Sequence, residues 1–306
     1  MPITDQQKEL RRKHIGSSDM AAILGIDPFR NAYDVWLEKT GKVDSSDISS
    51  EAAEIGNALE TGILNLAERR LGKILRNQYR SAKDRGLPHR GLPLGANIDG
   101  LVIASNEPID AKTSGITGPL FGNWGDEGTD QVPDHIITQA HVHMLCVDKD
   151  ICHIAAVLGG RGFQLFHVPE DKELRNIICE KAIEFWDKHV QADVPPANVT
   201  PSALMIKRII REPNSVVDVP DELVQKWLDA QQAKRDAEKM CDAAQAEVLT
   251  ALGQAECGNC SFGQVTYFEQ SRSGIDAKAL KDQLPEIAAQ FANITKYRVA
   301  RFKKAK

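Results

Sequence analysis

Residues 94–113 read LGANIDGLVIASNEPIDAKT, and this stretch decides how the fold is interpreted. Two short runs of β-forming residues, at 98–103 and 109–113, flank a turn that is rich in Ser, Asn and Pro. Such runs on either side of a turn predict a β-hairpin. The hairpin would bring together the polar side chains of both runs, so it is the first place to look for chemistry.

Three charged residues, Asp99, Asp110 and Lys112, lie on the two strands of this predicted hairpin. Because strand side chains alternate between the two faces of a sheet, Asp110 and Lys112 share a face. With the turn centred near Ser105, Asp99 falls opposite Asp110, and directly opposed like charges destabilise a hairpin. A divalent cation would remove that repulsion, since carboxylate oxygens and water are the ligands that Mg²⁺ and Mn²⁺ prefer. A solvent-facing hairpin decorated with charge is the alternative, and these residues alone leave both interpretations open.

Two helices are predicted on either side of the hairpin. Residues 50–72 form an amphipathic pattern whose apolar positions predict a buried stripe of Ile55, Leu59, Ile63 and Leu66. Glu60 flanks that stripe, where a carboxylate is ordinarily a boundary residue. Pro133 suits the first turn of the second helix, which runs to about residue 147 and carries Gln139.

The histidines and cysteines do not predict a zinc site. On the second helix His141 and His143 are two positions apart, and His135 is two turns from His143, so no pair of these can share one ion. We expect these histidines to pack or to form hydrogen bonds. Cys257 and Cys260 form a lone CxxC, which predicts a turn because no second pair exists.

The N-terminal segment, residues 11–24, reads RRKHIGSSDMAAIL and predicts a basic patch followed by a helix start. Backbone amides at such a start, with Ser17, Ser18, Arg11 and Arg12 beside them, form an anion site. The alternative is a capped helix with a solvated basic face.

Composition excludes several classes of protein. The 306 residues are 42% hydrophobic and 26% charged, which are ordinary globular proportions. No apolar run approaches the ~18 residues of a membrane span, and the first residues lack the apolar core of a secretory signal. Six irregularly spaced cysteines favour a reducing cytosol. The net charge of −5 does not decide for or against nucleic acid, because carboxylates that await a cation make their own domain acidic.

A proline pair at 195–196 separates two predicted parts, a domain of residues 1–200 and an extension of residues 201–306. The extension is predicted to contain a long polar helix (220–253), a small hairpin (257–269), a helix (276–291) and a basic tail.

Taken in order, these segments resemble the YqaJ-type viral recombinase family, relatives of phage lambda exonuclease within the PD-(D/E)xK nuclease superfamily. The resemblance covers roughly residues 8–198 and rests on RRKHIGSSDMAAILGIDPFRNAYDVWLEKTG, EIGNALE, LGANIDGLV, IDAKTS, a loop with NWG, VPDHIITQAHVHM and EFWDKHVQADVPP. It implies an α/β fold, in which a restriction-endonuclease-like mixed central sheet is flanked by helices, with a mainly helical C-terminal extension.

The resemblance also implies roles for single residues. Asp99 matches the metal-binding aspartate, and Asp110 and Lys112 match the (D/E)xK motif. Glu60 matches the helix glutamate that completes the metal site, and Gln139 matches the glutamine of the following helix. The first three acids, Glu60, Asp99 and Asp110, would hold Mg²⁺, with Mn²⁺ as a substitute. Close relatives often have glutamate where this chain has Asp110, but the motif permits either acid.

At the N-terminus, the resemblance implies that Arg11 or Arg12, with Ser17 and Ser18, binds the 5′-phosphate of DNA. The expected activity is a Mg²⁺-dependent, 5′→3′ exonuclease on linear double-stranded DNA that leaves 3′ overhangs for recombination. The implied partners are DNA ends, a single-strand annealing protein and copies of the chain in a ring trimer, without a membrane. The implied location is the cytoplasm of a bacterial host that carries a phage or prophage. A structure-specific or restriction-type endonuclease and a non-catalytic DNA-end-binding scaffold remain as alternatives.

Overall fold

The computed structural model describes residues 12–43, 51–82, 91–115, 123–271, 274, 276–292 and 302. The chain divides into two units, residues 1–211 and residues 212–306. Within the described ranges, no helix is long and apolar enough to cross a membrane.

The first unit contains six strands and six α-helices among its described residues. In chain order they are β1 (Ile15–Gly16), α1 (Ser17–Ile23), α2 (Ala32–Lys39), α3 (Glu51–Leu71), β2 (Ile74–Ser81), β3 (Leu94–Val102), β4 (Pro108–Ser114), α4 (Asp134–Val147), β5 (Ile151–Leu158), β6 (Gly162–Pro169), α5 (Lys172–Phe185) and α6 (Ala203–Arg208). A π-helical turn, Trp186–Gln191, continues α5.

All six strands form one mixed sheet, so the predicted α/β architecture with a mixed central sheet is confirmed. Strand β3 pairs antiparallel with both β2 and β4, β4 pairs with β5 in parallel, and β5 and β6 form an antiparallel hairpin. Strand β1 pairs with β3 in parallel.

One edge of β3 is shared by two strands. Gly95 pairs with Ser81 of β2 on one side and with Gly16 of β1 on the other. Strand β4 pairs with the same edge of β3 as β1 does, but further along β3, where Gly100 pairs with Ile109. Between these two contacts the described residues give this edge of β3 no strand partner, and Asp99 lies in this gap.

Helices cover both faces of the sheet. Ile63 and Leu64 of α3 pack in one apolar cluster with Ile109 of β4. On the other face, α4 contributes to a second cluster that includes Ile154 of β5. The buried stripe predicted for α3 is wrong in its first half, because Ile55 and Leu59 are exposed and only the later turns of the helix reach the sheet.

The start of α1 is fixed by a buried carboxylate. Asp19 Oδ2 accepts a hydrogen bond from the Gly16 N–H at 2.9 Å and lies 2.6 Å from Lys39 Nζ, while Asp19 Oδ1 accepts from Arg30 at 2.5 Å. Although burial opposes ionisation, the charges of Lys39 and Arg30 lower the pKa of Asp19. This network joins α1 to α2 and sets where the chain turns after β1.

The second unit contains a long helix, a hairpin and two short helices. They are α7 (Asp221–Leu252), β7 (Cys257–Cys260), β8 (Gly263–Thr266), α8 (Ala277–Gln283) and α9 (Pro285–Gln290). No residue of α7 is buried. The helix predicted at 276–291 is divided in two, because Pro285 removes a backbone donor and disfavours helical backbone at Leu284.

The first unit extends to Arg211, past the predicted boundary at residue 200. Met205 of α6 is 2% exposed and packs in the core cluster that contains Val35 and Leu37 of α2. The Ser202 N–H donates to Asp34 Oδ1 at 2.8 Å. The proline pair therefore lies within the unit and does not end it.

We expect Met205→Ala to destabilise the first unit by about 3 kcal/mol, because a buried side chain is removed and a cavity is left. Urea unfolding followed by tryptophan fluorescence measures this change. Met240→Ala is the control, since Met240 is 69% exposed on α7. Equal midpoints for the two variants would show that α6 contributes nothing to the first unit.

Candidate active site

The predicted hairpin and its register are confirmed. Gly100 pairs with Ile109 and Leu101 with Pro108, so one further step along the strands puts Asp99 opposite Asp110. At this step the ladder stops, and Asp99 Oδ2 accepts the Ala111 N–H at 2.8 Å in place of a backbone carbonyl. A side chain cannot occupy position 100, because a Cβ there would lie 2.2 Å from Ile74. The glycine lets the flanking strands close around the two acids.

The charges of Asp99, Asp110 and Lys112 affect one another's ionisation. Burial, and then the charge of Asp110, raises the pKa of Asp99 well above its usual value. Burial also opposes ionisation of Asp110, but the Lys112 ammonium, with Nζ 2.5 Å from Asp110 Oδ2, outweighs it and lowers the pKa of Asp110. Asp99 is therefore the carboxyl group that keeps its proton to higher pH, and Asp110 is the ionised partner of Lys112.

The oxygen atoms of this pair suit a hard divalent cation. Asp110 Oδ2 is buried and has no hydrogen-bond partner of regular geometry among the described residues, so the Lys112 ammonium is its close contact. Mg²⁺ is typically held by one or two carboxylates and keeps several waters. In the part of the chain that the structure describes, no three His, Cys, Asp or Glu side chains are grouped to hold an ion. Asp99 and Asp110 are the two carboxyl groups that the hairpin brings together.

Helix α4 lies on the face of β4 that carries Asp110 and Lys112. His135, Gln139 and His143 recur every four residues and so share one side of the helix. Burial lowers the pKa of both histidines, and the charge of Lys112 lowers it further. The charge of Lys112 lowers the pKa of the histidines one turn before and one turn after Gln139. Gln139 is therefore on the side of α4 that faces the site. Its part in the chemistry stays a prediction.

Glu60 is not brought beside the two aspartates. It is partly buried on α3, and Gly56, one turn earlier, lies over Thr113, with its ideal Cβ 4.0 Å from Thr113 Oγ1. Because strand side chains alternate, Thr113 and Ile109 lie on the face of β4 opposite the face that carries Asp110. The role of Glu60 as a third ligand therefore stays a prediction.

The predicted anion site is only partly available. Ser17 is buried, and its Oγ lies 3.0 Å from His143 Nε2 in a hydrogen bond. Arg12 and Ser18 are exposed next to it. Arg11 lies outside the described residues.

Sequence reasoning missed the place of His143. It was expected to pack or to form a hydrogen bond, which it does, but it does so beside Asp110. Its position four residues after Gln139 was the signal that both side chains face the same strand. His141, by contrast, faces away: the Asp171 N–H donates to its Nε2 at 2.8 Å, so Nδ1 carries the proton and donates to the Ile137 carbonyl. Cys257 and Cys260 are exposed on β7 and join no metal-binding group of described residues.

Several solved structures are similar to this chain. An alkaline exonuclease, LHK-Exo from Laribacter hongkongensis, matches with a TM-score of 0.47 and 15% identity, over 62% of this chain and 94% of that one. A phage-related exonuclease from Haemophilus somnus 129PT matches with a TM-score of 0.34 and 14% identity, over 62% of this chain and 85% of that one.

Two sequence comparisons point to one family. The chain is 27% identical over 297 residues to the uncharacterized protein YqaJ of Bacillus subtilis strain 168, which covers 94% of this chain and 90% of the relative. The family described as the YqaJ-like viral recombinase domain matches residues 7–150, which include β1, α1 and the whole carboxylate hairpin. Residues 7–150 therefore match the YqaJ-like viral recombinase domain, which confirms the resemblance that the ordered segments indicated.

Proposed function

We propose that this chain is a Mg²⁺-dependent DNA exonuclease that digests linear double-stranded DNA from its 5′ ends and leaves 3′ single-stranded overhangs. The observation that carries the proposal is the pairing of half-buried Asp99 with buried Asp110, which Lys112 contacts, at an interrupted sheet edge of a YqaJ-like domain. Acids held this close need a reason, and a cation that binds a DNA phosphate supplies one.

Each side chain has a distinct task in this proposal. Asp99 and Asp110 hold the cation, and Glu60 is a further candidate ligand. When bound, Mg²⁺ supplies a nucleophile by activating water, and it neutralises charge on the scissile phosphate. Lys112 orients that water and stabilises the negative charge that develops on the phosphate. Gln139 orients the water or Lys112 from α4.

The 5′-end preference rests on Arg12 and Ser18, which are exposed beside the start of α1, and on Arg11. An arginine binds phosphate with charge-assisted and often bidentate hydrogen bonds. The Ser17 hydroxyl is already bonded to His143, so Ser18 is the better donor of the two serines. The ring trimer, the annealing protein, the cytoplasmic location and the phage or prophage origin stay predictions.

We expect Asp99→Asn and Asp110→Asn each to abolish cleavage, because each removes a charged ligand oxygen while keeping the shape of the side chain. The assay compares linear with closed circular duplex in Mg²⁺ and again after EDTA, and thermal unfolding checks the fold. Asp130→Asn, in the exposed loop before α4, is the matched control. Normal digestion by Asp99→Asn would refute the site, and cleavage of closed circles would favour an endonuclease. Glu60→Gln separately tests the third ligand, since only a ligand should lose metal affinity.

For Lys112→Ala we expect turnover to fall by about 10²–10³-fold, the usual effect of removing one electrostatic partner of a transition state. Mn²⁺ affinity, measured by calorimetry, should change much less. Lys112→Arg should restore turnover only in part, because a planar guanidinium cannot replace a compact ammonium group. Equal losses of affinity and turnover would instead assign Lys112 to the ion pair with Asp110 alone.

Linear duplex with 5′-phosphate ends should be digested faster than the same duplex with 5′-hydroxyl ends. The double variant Arg11→Ala/Arg12→Ala should lose most of this preference and keep slow cleavage. The preference should shrink at high salt, because part of it is screened phosphate electrostatics. Arg211→Ala, an exposed arginine at the end of the first unit, is the control. Equal rates on both ends by the unmodified protein would refute the 5′ assignment.

A further inference from the structure

His143 is a buried polar residue that has no role in the chemistry proposed above. Its side chain has no exposed surface, and its Nδ1 has no hydrogen-bond partner among the described residues. Its Nε2 bonds to Ser17 Oγ at 3.0 Å. Burial lowers the pKa of His143 to about 4, so the ring is neutral near pH 7.

The position of this ring follows from the split edge of β3. Ser17 comes directly after β1, and Asp110 lies on β4, the two strands that share that edge. His143 projects from α4, bonds to the residue after β1, and lies near enough to Asp110 for their charges to affect each other's ionisation. One side chain thus connects both sides of the gap in which the carboxyl pair sits.

We infer that His143 is a positioning residue for Asp110, and that it acts through its hydrogen bond to Ser17. The bond fixes the orientation of the ring on the side of α4 that faces β4, and it ties α4 to the start of α1. Without this hydrogen bond, the position of the start of α1 would not depend on the position of the Asp110 carboxylate. The catalytic meaning of this inference rests on the proposed nuclease function.

His141 provides a matched control on the same helix. It is also a buried, neutral histidine with a hydrogen bond to another element, but it faces the start of α5, away from the carboxyl pair. His143→Leu and His141→Leu remove similar buried polar groups, so their effects on folding should be similar. Their effects on the site should differ.

The experiment uses the full chain and compares His143→Leu, His143→Gln, Ser17→Ala, the double variant Ser17→Ala/His143→Leu and His141→Leu. We expect His143→Leu to lower kcat on linear duplex, or Mn²⁺ affinity, by about 10–100-fold, the usual effect of losing a group that orients a metal ligand. KM should change little. His143→Gln, whose amide nitrogen can replace Nε2, should restore most of the loss.

The double variant should be no worse than the worse single variant, because both changes break one hydrogen bond. The inference is overturned if His143→Leu and His141→Leu have equal turnover and equal Mn²⁺ affinity, or if the Ser17 and His143 effects add. If His143→Leu does not fold, His143→Gln and Ser17→Ala give the same decision. If the unmodified protein cleaves no DNA, the proposed function fails, and Mn²⁺ affinity across the variants still decides the role of His143.

Discussion

The half-buried Asp99 and the buried Asp110 lie opposite each other, and the repulsion between two such carboxyl groups is the main constraint on the candidate site. At about 4 Å and an effective dielectric constant of 20, two like charges repel by roughly 4 kcal/mol. The protein reduces this cost in two ways: Asp99 keeps its proton, and Lys112 neutralises Asp110. Both arrangements are reversible, because a divalent cation can take the place of the proton. The repulsion between the two carboxyl groups is therefore compatible with a stable fold and still favours the binding of a cation.

The interrupted edge of β3 makes this arrangement possible. Continued pairing with β4 would use the Ala111 N–H in the ladder, whereas here Asp99 accepts it. The first paired position after the gap must be Gly100, since isoleucine side chains from both neighbouring strands close on it. A strand that loses one neighbour before it gains the next exposes backbone and side chains at the same point. The place of Asp99 is thus a consequence of sheet topology, because it lies on β3 between the residues that pair with β1 and those that pair with β4.

Local features of this site could be predicted from the sequence, and distant ones could not. The register of Asp99 against Asp110 follows from strand alternation and the short turn between them, which are local properties. The hydrogen bond between Ser17 and His143 joins residues 126 positions apart, and no period or cap signals it. The end of the first unit was misplaced for the same reason, because Met205 is held by packing against α2 and not by any local signal. The face on which α3 packs likewise depends on long-range contacts.

The position of α3 determines which ligands would complete the coordination shell of the cation. Its later turns are buried through Ile63 and Leu64, while Ile55 and Leu59 are exposed, so Glu60 lies where the helix leaves the core. Two aspartates alone give Mg²⁺ only part of its octahedral shell, and proteins commonly leave the rest to water and substrate phosphate. A site of this kind holds its cation more tightly when DNA is present, since the substrate supplies ligands. In the proposed function, the cation and DNA would therefore bind jointly, and the protein alone would not form a cage.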